Sequence, residues 1–432
     1  MRGGSAATLL ALGLAELVFL AGLGWIPAAH RFPLPGLAVF GAAFVAYALA
    51  GWLMSARGVE APGTLAHTAI IWSVAVALRL ALLPLTPELS DDVYRYLWDG
   101  HVQLAGVNPY LHPPAAPEVE AIRTAWHRLV NNPDVPTIYP PLAQIAFVLI
   151  GLLGSSILTA KIAWVACDLA TAAVLAGVAR DTGRDPRPVL LLYLWAPLLV
   201  VEVAWSGHLE PLGLLAMALA LRWASASRPQ AAGMALGLAT LTKFAPAAAL
   251  PALVRRHGWR SLVAFSLTVG ALYLPYSAAG GALFTGLRTY GEHWWFMKGP
   301  FVVLESMAGD PDTARRLAAL LVVAVVAWTV ICAFDLERAL LWTLGAGMIL
   351  TPTLHPWYVL WMLPMAALRG SRAWLLLGGL AFIGYFGLTG YQETGEWAQP
   401  ALARAALWVP FLIVLGLEAR HRPSGEPISE GG

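Results

Sequence analysis

Apolar residues occur in long, nearly uninterrupted runs from one end of the chain to the other. A run of about 20 such residues forms a helix long enough to cross the roughly 30 Å hydrocarbon core of a bilayer. The pattern predicts an all-α polytopic membrane protein with about 12–14 transmembrane or re-entrant helices. The predicted spans are residues 5–26, 33–55, 66–86, 157–179, 188–205, 208–224, 261–279, 313–334, 339–353, 356–368, 373–390 and 401–418.

Two further apolar stretches do not have the form of simple spans. Residues 140–155 are short for a full crossing and open with Pro140 and Pro141, so they are predicted to dip into the bilayer or to span it. Residues 230–254 are interrupted by Lys243, and Pro246 cannot continue a helix without loss of a hydrogen bond. We predict a helical hairpin or a broken helix with Lys243 at its turn.

Arginine residues indicate how the spans are oriented. If residues 140–155 do not cross and 230–254 returns to its starting side, the short arginine-bearing loops all share one side with Arg2. Cytoplasmic loops are enriched in Lys and Arg, so that side is predicted to be the cytoplasm. The long segment 87–137, with seven acidic residues against three arginines, then faces outward.

Composition narrows the class of protein. Of 432 residues, 59% are hydrophobic and 12% are charged, which is not the composition of a soluble domain. No basic cluster suits nucleic acid, and the two cysteines, Cys167 and Cys332, lie in apolar runs typical of small buried hydrophobic residues. The first apolar run lacks a cleavage site of small residues and is interpreted as a retained span.

Candidate chemistry begins directly after the third predicted span. Asp91 and Asp92 stand next to each other at the start of the long outer segment, with Arg95 one helical turn further on. Such a pair is typical of an active-site base, although two acids before a helix also serve as N-caps.

Other polar and aromatic residues gather at the predicted outer ends of apolar runs. Aromatic residues there often form an interfacial belt, and a lone histidine is often satisfied locally. Lys243 is different, because an ionisable group inside a membrane segment is costly unless it is paired or hydrated. Because these polar and aromatic residues lie at one depth, together with the acidic pair they predict a cavity open to the outside. Its residues would bind an anionic group and deprotonate a hydroxyl. The residues are Tyr139, His208, Glu210, Lys243, His293, Trp294, Trp295, His355, Trp357 and Tyr358.

Sequence motifs for soluble donors were not found. The chain has no Walker A loop, dinucleotide fingerprint, HExxH or GxSxG motif. Any group donor is therefore expected to come from the membrane.

Several stretches resemble a known superfamily. SDDVYRYLWDG, GVNPY and TIYPPLAQ are similar to the first outer loop of the GT-C glycosyltransferases, membrane enzymes that use polyprenyl-phosphate sugars. KIAWVACDL, WSGHLEPLGLL, LTKFAP, YGEHWWFMKGP and LHPWYVLWMLP follow in the same order, and the likeness is strongest to bacterial α-mannosyltransferase-like proteins. The resemblance implies a catalytic core at residues 66–370 with a long first outer loop, 87–137, that contains short amphipathic helices. Two additional helices precede it at 1–65, C-terminal helices follow at 371–422, and 423–432 form a disordered tail.

The resemblance also implies roles for individual residues. Asp92 is the preferred general base on the acceptor hydroxyl, with Asp91 as the alternative. Lys243, His355 and Arg95 are expected to contact the donor phosphate. The remaining candidates are expected to bind substrate: Tyr94, Tyr139, His208, Glu210, His293, Trp357 and Tyr358. The metal requirement stays open, because some superfamily members use a divalent cation, and Asp91, Asp92 and Glu210 would suit Mg²⁺ or Mn²⁺.

The expected function is transfer of a hexose, with mannose favoured, from a polyprenyl-phosphate donor to an extracytoplasmic lipid-linked or glycan acceptor. Inversion at the anomeric carbon is expected, in the cytoplasmic membrane of a bacterium, with membrane lipids and no nucleic acid as partners. Two alternatives are a transporter or flippase for a lipid-linked or anionic substrate, and a non-catalytic assembly subunit.

Overall fold

A computed structural model describes residues 6–26, 34–55, 64–395, 397 and 399–421 of the chain. These residues are organised as helices joined by short loops, and among them β-structure is limited to one isolated parallel bridge between Phe296 and Thr353. The predicted disordered tail at 423–432 lies outside the described residues. The α-helices are Ala6–Leu23, Pro35–Ser55, Thr64–Leu82, Asp92–Leu104, Pro141–Leu152, Ile157–Asp181, Pro186–Leu194, Pro197–Val200, Glu210–Ser225, Pro229–Thr240, Leu250–His257, Trp259–Tyr273, Thr285–His293, Phe301–Ala308, Pro311–Ile331, Leu336–Leu350, Leu363–Arg369, Arg372–Leu380, Leu388–Thr394 and Ala401–His421.

Helix lengths confirm a multi-pass membrane protein. Within the described ranges, seven helices are long and apolar enough to cross a membrane, and an eighth crossing is formed if Pro186–Leu194 and Pro197–Trp205 act as one span bent by 53°. Several other predicted spans are interrupted by prolines, which remove a helical hydrogen bond, and continue as 3₁₀ turns. The segment Pro356–Met362 is such a 3₁₀ turn, whereas the 3₁₀ turn Ala381–Gly387 contains no proline. Both lie next to short α-helices.

The apolar stretches 140–155 and 230–254 contain a short helix and a broken helix, respectively. Pro141–Leu152 is a 12-residue helix, about 18 Å long at 1.5 Å per residue and therefore shorter than the hydrocarbon core. The predicted break around Lys243 is confirmed. The helix Pro229–Thr240 ends, a 3₁₀ turn runs over Ala245–Ala249, and Leu250–His257 resumes.

The outer segment contains the short amphipathic helices that the sequence predicted. Its main helix, Asp92–Leu104, lies against Pro141–Leu152 so closely that a Cβ on Gly100 would be 2.3 Å from the carbonyl oxygen of Phe147. Only glycine fits at such an approach. The predicted loop is therefore a folded layer held on the helical body.

A buried charge network joins the spans in the interior. Arg79 Nε lies 2.6 Å from Asp168 Oδ2, and a guanidinium nitrogen of Arg79 donates to the carbonyl of Leu194 at 2.9 Å. Both charged side chains are at most 1% exposed. This pair connects the helices Thr64–Leu82, Ile157–Asp181 and Pro186–Leu194 beneath the outer layer.

Candidate active site

A cavity of about 1280 Å³ lies between the outer layer and the helical body. Its lining includes the start of the helix Asp92–Leu104 and the break that holds Lys243. The lining includes Asp91, Asp92, Tyr94, Arg95, Asn131, Tyr139, Lys243, Tyr290, Trp294, Trp295, His355, Trp357, Tyr358 and Tyr385. Most residues predicted from the sequence are therefore brought to one place, and the cavity also extends past residue 370, where the predicted catalytic core ends.

The acidic pair does not act as a helix cap. Asp91 occupies the N-cap position, but its side chain makes no capping hydrogen bond. Instead, Asn131 Nδ2 donates to Asp91 Oδ1 at 2.9 Å and to Asp92 Oδ1 at 2.6 Å. The two carboxylates are thus held together at the cavity wall by a residue of the outer segment.

The ionisation of Asp92 is set by its surroundings. The pKa of Asp92 is raised to about 7: burial raises it most and the neighbouring Asp91 also raises it, while Lys243 and the Asn131 hydrogen bond lower it. A base whose pKa lies near the operating pH exists in the correct form and still accepts a proton readily. Asp92 therefore has the properties of a general base at neutral pH.

Lys243 stands between a buried acid and the cavity. Its Nζ forms a short ion pair with the fully buried Glu210, and it lies 4.6 Å from the centroid of the Tyr358 ring. The Lys243 side chain is 21% exposed. Glu210 therefore neutralises and fixes Lys243 from behind, while the ammonium group remains available to an anion in the cavity.

His355 is positioned by the parallel bridge. Phe296 N donates to Pro352 O at 3.0 Å, and Leu354 N donates to Phe296 O at 2.8 Å, so the backbone before His355 is fixed. Its ring stacks on Trp357 with centroids 4.5 Å apart. Burial lowers the pKa of His355 to about 3, and Lys243 contributes to this shift. His355 is therefore neutral at physiological pH and can offer a hydrogen bond.

His208 lies behind the cavity wall rather than on it. It is fully buried, and its Nδ1 is 3.6 Å from Asp92 Oδ2 while its Nε2 is 3.4 Å from Glu202 Oε2. Its ring stacks on Trp357 at 4.1 Å between centroids. Glycine at position 207, with φ of +79°, allows the turn that brings the histidine there. The structure thus places His208 next to the predicted base and away from the space for substrate.

Arg95 is largely occupied by structural contacts. Its Nε pairs with Asp99 Oδ1 at 3.0 Å, and its guanidinium donates to the carbonyls of Val135 at 2.9 Å and Asn132 at 3.4 Å. These bonds hold the chain that carries Asn131. The arrangement favours an ordering role, with only one edge of the guanidinium lining the cavity.

The remaining predicted residues divide into two groups. Tyr94, Tyr139 and Tyr358 line the cavity, and Tyr358 shares a hydrogen bond with Tyr290, whose oxygen is 2.6 Å away. His293 is exposed, is not among the cavity-lining residues, and has its Nδ1 3.0 Å from the carbonyl of Thr289 in its own helix.

Three participants were not predicted from the sequence: Asn131, Glu202 and Tyr385. Tyr385 lines the cavity and donates to Glu202 Oε1 at 2.7 Å. Glu202 interrupts an apolar run in the same way as Lys243, and that feature could have identified it.

The possible carboxylate site for a divalent cation is not assembled. Across the described ranges, no three His, Cys, Asp or Glu side chains converge with the geometry of a metal site. Glu210 is directed to Lys243, whereas Asp91 and Asp92 are directed to Asn131.

Comparisons with known proteins identify a family for this chain. Residues 5–257 match the family model described as "Alpha-(1->6)-mannopyranosyltransferase, N-terminal domain", a range that contains Asp92 and Lys243. A protein of Mycolicibacterium smegmatis named "Probable alpha-(1->6)-mannopyranosyltransferase" is 27% identical over 450 aligned positions, which cover 84% of this chain and 76% of the relative. No solved structure matches the chain significantly.

Proposed function

We propose that this chain, which belongs to the alpha-(1->6)-mannopyranosyltransferase family, is an enzyme with a lipid-linked donor. It moves a mannosyl group from a polyprenyl-phosphate donor to a lipid-linked or glycan acceptor. The enzyme is a multi-pass membrane glycosyltransferase of the GT-C type. The family description and the name of the relative support α-(1→6)-linked mannose as the product.

The observation that carries the proposal is the arrangement of opposite charges around one cavity. Asp92 lies on one wall and Lys243 on another, and both line the same space of about 1280 Å³. A glycosyl transfer needs a base at the attacking hydroxyl and a positive charge at the leaving group. The cavity supplies one of each.

The shape of the cavity supports a lipid-linked donor. Beyond Lys243 the lining becomes apolar, with Phe244, Ala245, Val322, Leu344 and Met348. Ala245 is exposed at the protein surface. An isoprenoid chain is suited to such a surface, because burial of apolar area is favourable and the phosphate then lies beside the ammonium group.

The chemistry follows from the two groups. The acceptor hydroxyl gives its proton to Asp92 as its oxygen bonds to the anomeric carbon. The bond from that carbon to the phosphate oxygen breaks, and the phosphate leaves with the electron pair. Lys243 stabilises the negative charge, neutral His355 donates a hydrogen bond, and one displacement inverts the anomeric configuration.

The arginine distribution supports an active site on the extracytoplasmic side of the bacterial cytoplasmic membrane. A lipid-linked donor can reach such a site within the plane of the membrane. The acidic outer layer, which carries Asp91 and Asp92, would then face the acceptor.

Purified protein in liposomes tests the donor class. We expect radiolabelled mannose to pass from polyprenyl-phosphate mannose to an α-linked mannoside acceptor, and not from guanosine-diphosphate mannose. The product should be cleaved by an α-(1→6)-specific mannosidase. Transfer from the nucleotide sugar alone would contradict the proposal. Movement of the lipid-linked sugar across the bilayer without its consumption would favour the transporter alternative.

A further inference from the structure

Glu202 is placed behind the acidic pair by an irregularity in a membrane span. The bent span ends in a π-helical turn, Val201–Trp205, and Glu202 in that turn is fully buried. A π turn inserts an extra residue and redirects the side chains that follow, and such turns recur at functional sites. Here the turn directs the Glu202 carboxylate toward His208, at 3.4 Å between Oε2 and Nε2.

The facing atoms of Glu202 and His208 lack a hydrogen bond in this structure, although the Ser206 hydroxyl also faces the Glu202 carboxylate. Glu202 Oε2 and His208 Nε2 are both buried without a hydrogen bond. Buried polar atoms are rarely left so, because an unsatisfied group keeps the full cost of its desolvation. A contraction of a few tenths of an ångström brings their 3.4 Å separation into hydrogen-bond range. Catalytic hydrogen bonds are often long in the absence of substrate and tighten when it binds.

Aromatic residues hold the imidazole between the two acids. Trp357 stacks on the His208 ring with an interplanar angle of 20°, and the Tyr96 hydroxyl is 3.5 Å from His208 Nδ1. The ring therefore presents one nitrogen to Asp92 and the other to Glu202. Tyr385 extends this series of groups to the cavity, because it donates a hydrogen bond to Glu202 and also lines the cavity.

We propose that His208 and Glu202 form a buried proton relay that takes the proton from Asp92 after sugar transfer. The proposal rests on the function proposed above, in which Asp92 is the base. Both residues are positioning residues, because they act through Asp92 and touch no substrate. The relay explains why a buried imidazole and a buried carboxylate are retained behind the cavity, where apolar side chains would pack at lower cost.

Each proton in the relay has a named donor and acceptor. The acceptor hydroxyl loses its proton to Asp92, and no electrons are exchanged. Asp92 passes that proton to His208 Nδ1 while His208 Nε2 releases its own proton to Glu202 Oε2, which returns Asp92 to the ionised form. Before the next turnover Glu202 gives its proton through the Tyr385 hydroxyl to the phosphate product in the cavity, and the imidazole returns to its Nε2–H tautomer. The relay also lies close to three other ionisable groups, which are Lys243, Glu210 and His355.

Substitution of Glu202 with a neutral isostere separates proton transfer from packing. Glu202→Gln keeps the shape and the bond to Tyr385 but cannot accept the proton. We expect kcat for mannosyl transfer to fall by a factor of about ten. This loss is smaller than the roughly 10²–10⁴-fold loss expected when a direct general base is removed. KM for donor and acceptor should stay within about twofold of wild type, and Glu202→Asp should recover most of the activity because it restores a carboxylate.

Matched variants keep the inference distinguishable from the proposed function. Glu305→Gln, which alters a carboxylate paired with Lys298, should leave kcat unchanged, and His208→Gln should resemble Glu202→Gln. The relay is overturned if Glu202→Gln and His208→Gln retain wild-type kcat while Asp92→Asn is inactive. The relay is also overturned if Glu202→Asp is as impaired as Glu202→Gln and if both variants and His208→Gln lose thermal stability. That result would show that the two side chains serve only to pack the interior. An active Asp92→Asn would instead contradict the proposed function itself.

Discussion

Asn131 Nδ2 lies 2.6 Å from Asp92 Oδ1, and the same nitrogen donates to Asp91. One amide group thus binds two adjacent carboxylates that would otherwise repel each other. The bond stabilises the ionised form of Asp92 and opposes the effect of burial, which holds its pKa at about 7. Asn131 therefore increases the fraction of Asp92 that is ionised at neutral pH, and only the ionised form can accept a proton.

Loss of this amide should shift the pH dependence of activity upward. In Asn131→Ala the hydrogen bond that lowers the pKa of Asp92 is gone, so the ionised base appears only at higher pH. Because activity requires the ionised form, the rate should fall at pH 7 and recover above pH 8. The profile of kcat/KM against pH in liposomes measures this shift. Asp134→Ala, at an exposed site outside the cavity lining, is the control, and an unshifted Asn131→Ala profile would argue against the role of the amide.

Removal of the cavity ammonium group should weaken donor use selectively. Lys243→Ala deletes the charge that faces the donor phosphate, and a hydrogen bond to a charged group contributes about 1.5–3 kcal/mol. Donor KM should rise roughly tenfold to hundredfold, while acceptor KM changes little. Lys298→Ala provides a matched control, since Lys298 is also partly buried and paired with an acid, Glu305. Equal effects on both substrates would mean that Lys243 maintains structure and does not bind phosphate.

The ion pair of Arg79 and Asp168 should dominate the stability of the membrane core. Arg79→Leu leaves the Asp168 carboxylate buried without its partner, and breaking a buried pair costs about 3–5 kcal/mol. Thermal unfolding in detergent should show a large loss, and the double variant Arg79→Leu with Asp168→Leu should regain much of it. Arg315→Leu removes a pair whose acid is 76% exposed, so it should cost about 1 kcal/mol or less. A small effect of Arg79→Leu alone would show that the pair is not a main source of stability.

His355 should contribute no ionisation to the pH profile. Burial holds its pKa at about 3, so the imidazole is already neutral throughout the range in which Asp92 titrates. His355→Leu should lower kcat through loss of a hydrogen bond but leave the midpoint of the pH profile in place. A midpoint that moves with this substitution would indicate that His355 ionises during turnover.

The sequence indicated the acidic pair and Lys243 because charges are conspicuous in an apolar chain. Asn131 was not predicted, since an asparagine in a polar loop is unremarkable and its contact with Asp92 joins positions 39 residues apart. Glu202 and Arg79 were overlooked, although the argument used for Lys243 applies equally to any ionisable residue in an apolar run.

Helix bounds show the same limit of sequence patterns. Among the described residues, apolar composition located the seven helices that can cross a membrane, but the predicted spans 208–224, 339–353, 356–368 and 373–390 are not such helices. The break at Lys243 followed from Pro246. Hydrophobicity does not show where a span bends, however, and the predicted continuous span 188–205 is divided between Leu194 and Pro197. Its π turn, which determines where Glu202 points, depends on packing that the pattern does not contain.

The central claim is that Asp92 deprotonates the acceptor in a cavity shared with Lys243. The most direct measurement is mannosyl transfer by Asp92→Asn in liposomes across pH 6 to 9, beside Asp134→Asn as the exposed control in the same outer segment. We predict that Asp92→Asn folds and inserts normally but transfers at least about a hundredfold more slowly at every pH, while Asp134→Asn matches wild type. Wild-type transfer by Asp92→Asn would contradict the account.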